Sequence, residues 1–148
     1  MNLEKFPSLH SSHPHLNMAF RVAMSDMLSN LYPFKDGQLE EEKLCLTAGV
    51  SYPTLWTRDN SVNTWHAAGL FLPEIAYDSL RSVLTLDEER EGWRIGGQYW
   101  DAIIWAQGAW SYYLYQGNRA FLSESLGIIE RSLNFFEDTE FDSQTGLF

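Results

Sequence analysis

Basic residues are scarce in this 148-residue chain: ten Lys and Arg stand against twenty Asp and Glu, a formal net charge of −10. That balance offers no basic footprint for nucleic acid or for an anionic membrane surface, and neither partner is expected. Cysteine is nearly absent. Cys45 is the single one, so no intramolecular disulfide can form, and its apolar setting "KLCLTAG" reads as a buried, inert thiol. No stretch approaches the roughly 20 uninterrupted apolar residues of a membrane span, and the N-terminus lacks the apolar core of a signal peptide. A cytoplasmic location is the expectation. There is no Walker-type phosphate loop, no CxxC pair and no Gly-x-Ser-x-Gly elbow. Gly96-Gly97 reads as the lead-in to a helix, and no cofactor is expected.

Aromatic residues are plentiful instead: six Trp, seven Tyr and nine Phe. This supplies a core for one domain spanning 1–148, with residues 1–12 as a loose polar arm. The aromatic surplus has two readings. One is an aromatic helical core. The other is a site with flat apolar faces and polar edges, such as sugars favour. The acidic runs at 39–43, 86–91 and 136–142 read as solvated loops or faces. His10, His13 and His15 lie in the polar arm, where adventitious metal binding is the better reading, and no metal site is expected.

Periodicity predicts a mostly helical chain. Leu16, Phe20, Ala23, Met24, Met27 and Leu31 mark an amphipathic helix that opens at Pro14 and ends before Pro33. Asp36-Gly37 is a turn signal. A short β segment is expected near residues 39–56. Asp59 or Asn60 is a plausible N-cap for a helix over about 59–71. Pro73 restarts the chain into a helix carrying Ala76, Leu80, Val83 and Leu84, which should fold back on the preceding one. A loop is expected over 85–93. Residues from about 97 to 116 are apolar nearly all round, the pattern of a helix buried on every side. A further helix, about 119–137, carries the stripe Leu122, Leu126, Ile129, Leu133 and Phe136. A fully buried helix followed by a half-buried one suits two concentric layers of helices, an α/α toroid. A plain helical bundle shares the pattern.

"YPTLWTRDNSV" resembles the glucoamylase-type six-hairpin glycosidases, whose fold is an (α/α)6 barrel. "GGQYWDAIIWAQGAWSYYLYQGNRAFL" is similar to a later inner helix of that family, which begins with an aspartate near the sugar. The tail "FDSQTGLF" resembles a stretch that leads to the general acid. The resemblance covers residues 45–148. It implies an all-α fold, a partial toroid of helical hairpins, and a glycoside hydrolase acting by inversion, with an α-glucoside as the expected substrate. It implies that Arg58 and Asp59 hold the terminal sugar, with Trp56, Trp100 and Asp101 lining the pocket. A six-hairpin barrel needs well over twice this length. The chain is therefore expected to be the N-terminal half of such a domain, with the general acid and base beyond Phe148. It should be inactive alone and should self-associate through an open barrel edge.

The residue chemistry agrees with binding more than with catalysis. A carboxylate beside an arginine is a poor general acid but a good acceptor of sugar hydroxyls, and the guanidinium is a fixed multiple donor. Asp101 is alone on an apolar helix and needs a partner, whether a substrate hydroxyl, a backbone amide or an arginine such as Arg94. Trp65 and Trp105 are further stacking candidates, most of which should be core. Two readings from other classes stand beside the hydrolase. One is a non-catalytic carbohydrate-binding or scaffold module. The other is a toroid sugar epimerase using His66, which reads more readily as a satisfied core histidine.

Overall fold

A computed structural model describes residues 6–89, 91–98 and 100–148. The start of the polar arm, Arg90 of the acidic run and Tyr99 before the long apolar helix lie outside the described residues. Helix occupies more than half of what is described, but the fold is mixed rather than all-α, because two antiparallel β-hairpins interrupt the helices.

Helix α1, Pro14–Ser29, begins with proline at its first turn, where the missing N–H costs nothing. Only Met24 of its predicted stripe is buried; Leu16 is exposed, and Phe20 sets its edge against Phe71 at 6.0 Å. Strands β1, Leu31–Phe34, and β2, Lys43–Leu46, form the first hairpin. The β segment expected near 39–56 thus pairs with residues the sequence assigned to the end of the first helix. Pro33 fits there because it opposes Leu44 on a rung that exchanges no hydrogen bonds; the bonded rungs are fixed by Thr47 N donating to Asn30 O.

Helix α2, Thr57–Asn63, runs into a π turn, Thr64–Ala68, then into the short α3, Gly69–Phe71. Helix α4, Pro73–Ser82, folds back, with Asn60 Nδ2 donating to Ser79 O at 3.4 Å. The expected loop over 85–93 is instead a second hairpin, β3, Leu84–Asp87, with β4, Gly92–Ile95. Its acids drew attention to solvent and hid the alternation of Leu84, Leu86, Trp93 and Ile95. Helix α5, Asp101–Gln116, ends on Gly117 at φ 67°, and α6, Arg119–Glu140, is capped by the Asn118 side chain accepting from Phe121 N.

Two corrections concern burial. Helix α5 is not enclosed: Trp105, Ala109 and Tyr112 are in the core, while Ile103, Trp110 and Leu114 face out, because α2, α4 and α6 leave one side open. On α6 the buried line is Phe121, Ser125, Ile128 and Ser132, while Leu126 and Leu133 of the expected stripe are exposed. A hydrogen-bonding demand explains the rotation. Ser132 Oγ accepts from Ile95 N at 2.8 Å and donates to Ile128 O at 2.7 Å, so β4 docks its open edge on Ser132. Arg131 Nε adds a bond to Trp93 O at 2.9 Å. The first hairpin does the same on α4, where Leu46 N donates to Ser79 Oγ at 2.9 Å.

Helices α2 and α5 lie side by side and point the same way. Thr57 Oγ1 donates to Gly96 O at 2.7 Å near their starts. Ser61 faces Gly108 midway, where a side chain at 108 would come within 2.9 Å of Ser61 O. Tyr115 Oη donates to Trp65 O and Gln116 Nε2 to Gly69 O near their ends. Both N-termini therefore emerge together.

Candidate functional site at the paired N-termini of α2 and α5

Helix α2 starts two residues earlier than the sequence suggests. Trp56 is the extended residue before it, so Asp59 sits in the first turn rather than at the cap. An acid there still favours the positive end of the helix. One residue earlier, Arg58 reaches across to α5. Its Nε lies 3.2 Å from Asp101 Oδ1, and its guanidinium carbon lies 5.8 Å from the Trp100 ring centre. The ion pair is lopsided: the Arg58 side chain is 47% exposed and that of Asp101 only 3%.

Local backbone chemistry locks Asp101. Its Oδ2 accepts from Gln98 N at 2.8 Å, and Gln98 O accepts from Asp101 N at 3.0 Å. The chain must turn tightly to close this loop, and Gly97 supplies φ 115°. A side chain at 97 would also strike Asp101 Oδ2. Oδ1 is different: it faces Arg58 but makes no hydrogen bond, because the guanidinium approaches off the required line. Oδ1 is thus a buried carboxylate oxygen that is ion-paired but accepts no aligned hydrogen bond.

Of the partners considered for Asp101, the structure selects the backbone amide and an arginine, but the arginine is Arg58. Arg94 lies instead against Asp87 and over the Phe135 ring, 4.0 Å from its centre. Asp59 is half-buried and holds no ion pair among the described residues. Trp56 stacks on Tyr52, with ring centres 6.2 Å apart, and lines a groove of about 690 Å³ that runs along β3 and past Gly96 and Gly97. Trp100 lines a separate apolar cavity of about 330 Å³ with Ile103, Leu133, Phe136 and Phe148. Arg58, Asp59 and Asp101 line neither. The predicted residues thus share one end of the helix pair without sharing one cavity.

The remaining candidates disperse. Trp65 is seven residues along the helix from Arg58, about 10 Å. His66 is exposed rather than core and stacks on Trp65 at 4.4 Å, on the π turn. Trp105 is fully buried, its Nε1 donating to Leu80 O. Sequence reasoning missed Gly97 and the Gln98 amide, which position Asp101; the Gly96-Gly97 doublet was their visible signal. Among the described residues, no group of three or more His, Cys, Asp and Glu could hold a metal ion, and no helix is long and apolar enough to cross a membrane. In comparisons with known proteins, the chain matches no family, no curated protein and no solved structure.

Proposed function

We propose that the chain carries the sugar-anchoring part of a six-hairpin glycosidase, a hydrolase of α-glucosides acting by inversion. One observation carries the reading: the buried Asp101 Oδ1, lacking a hydrogen bond, beside the half-exposed Arg58 guanidinium and the Trp100 face. A sugar hydroxyl donating to Oδ1 would satisfy that oxygen. The guanidinium would donate to a neighbouring hydroxyl, and the indole would cover an apolar sugar face. Asp59 and Trp56, on either side of Arg58, would complete the anchor.

The toroid belongs to the same proposal. Parallel α2 and α5 would be inner helices, and the back-folded α4 and α6 outer ones. A hairpin starts two residues after α1 and after α4, and a bridged turn, Asp142 with Leu147, starts two residues after α6. Inverting hydrolysis needs two carboxyl groups about 6.5–9.5 Å apart, and no such catalytic pair is assigned within this chain. A carbohydrate-binding module without catalysis would use the same anchor. The epimerase alternative is disfavoured, since His66 lies two helical turns from the Arg58–Asp101 pair.

Intrinsic tryptophan fluorescence titrated with glucose, maltose, trehalose and rhamnose tests the anchor. A saturable response to one of them is expected, lost in Asp101→Asn and in Asp59→Ala. Absence of a response, or one unchanged by both substitutions, would sink the assignment.

A further inference from the structure

The two hairpins leave their outer edges in different states. In antiparallel pairing, alternate rungs point their N–H and C=O groups away from the partner strand. Gly96 N donates to Val83 O, which sets the bonded rungs at 83, 85 and 87 and turns the main chain of Leu84 and Leu86 outward. On β4 the outward groups at Trp93 and Ile95 are met by Arg131 and Ser132. On β1 the equivalent rung carries Pro33, which has no N–H to offer. On β3 neither device is present. The outward groups of Leu84 and Leu86, about 7 Å apart along the strand, make no hydrogen bond among the described residues. Leu84 is 4% exposed, so its main chain is withdrawn from bulk water as well.

This edge opens on the groove of about 690 Å³, whose far wall is the extended segment 53–56, with Leu55 and Trp56. An unpaired edge bordering a groove that mixes apolar and polar walls is the geometry by which a sheet accepts an added strand. We propose that the free edge of β3 is a docking edge for an extended peptide segment, with apolar residues at alternate positions and basic residues between them. Charge selects the basic character. Asp36 is the one charged side chain among the groove's described lining residues, and β3 runs on into Glu88 and Glu89 in a chain of net charge −10. The same acids disfavour pairing of two copies through this edge.

The test uses the full chain and a capped, fluorescein-labelled Lys-Val-Lys-Val-Lys peptide, read by anisotropy and by amide hydrogen exchange. Saturable binding is expected, with slowed exchange at Leu84 and Leu86. Leu86→Pro removes the outward N–H at a rung that β1 already fills with Pro33, and should weaken binding about tenfold, whereas Leu86→Ala should leave it nearly intact. Methylating one alternate set of peptide amides should abolish binding, and methylating the other should not, which decides the matter even if Leu86→Pro fails to fold. Equal binding by both methylated peptides, or slowed exchange at Leu84 and Leu86 with maltohexaose but not with peptide, would overturn the proposal.

Discussion

Arg58 and Asp101 show how a few atoms decide what a site can do. Asp101 is held by its own loop through Gln98 N, while its second oxygen has only the off-line guanidinium. Removing Arg58 would leave a buried carboxylate with less compensation, so Arg58→Ala should lose about 1–2 kcal/mol in denaturant melts. The same change in an Asp101→Asn background should cost clearly less, a coupling that a double-mutant cycle measures. Ser132 acts in the same way on the fold. Ser132→Ala would strip the buried Ile95 N–H of its partner, an expected cost of about 1–3 kcal/mol, and Ser79→Ala should do likewise to Leu46 N–H. Cys45 is the inert case. Burial pushes its thiol from about 9.0 up to about 11. A thiol reagent at pH 8 should leave it unmodified until the chain is unfolded. Because the folded thiol holds its proton more tightly, its contribution to stability is intact below pH 9 and is lost as pH rises toward 11.

Among the elements, the α2–α5 pair governs the site. The two helices approach closely at Gly108, where Ala would bring a methyl within 2.9 Å of Ser61 O. Gly108→Ala should therefore destabilise by about 1–3 kcal/mol despite its better helix propensity, and should shift the Arg58–Asp101 contact, which tryptophan fluorescence would register. At the π turn, Thr64–Ala68, Trp65 O accepts from Tyr115 Oη, and a side chain at Gly69 would come within 2.7 Å of Thr64 O. Alpha-helical periodicity cannot signal such a turn, because the hydrophobic spacing on either side survives it. The boundaries at Pro14, Pro73 and Gly117-Asn118 were legible because each residue has a local backbone reason to stand there. The β3–β4 hairpin was not, since its strands are four residues long and acids crowd its turn.

For the whole molecule, the open side of α5 is the dominant surface feature. Ile103, Trp110 and Leu114 follow one another at helical spacing, each about half exposed or more. Nothing charged lies on α5 except the buried Asp101, so the −10 net charge does not protect this face. Self-association through it is the expected outcome, visible as a concentration-dependent mass in sedimentation. The double substitution Ile103→Lys with Leu114→Lys should give a monomer and change folding stability by about 0.5 kcal/mol or less, since these side chains contribute little to the core. An unchanged mass distribution would place the contact elsewhere.

Legible in the residues alone were the acidic character, the mostly helical content and the boundaries at Pro14, Pro73 and Gly117, whereas the expected cap at Asp59 or Asn60 gave way to Trp56. The legible features follow from composition, periodicity and backbone preference, which act over a few residues. Tertiary structure alone decided which faces are wet. Four-sided burial of α5 and the leucine stripe of α6 were misjudged because burial depends on neighbours far along the chain, and because buried serines here carry strand-edge hydrogen bonds that hydrophobic periodicity does not count. Tertiary structure also chose Arg58 over Arg94 for Asp101 and left the β3 edge open. Both outcomes rest on the relative placement of elements tens of residues apart, a quantity no local pattern encodes.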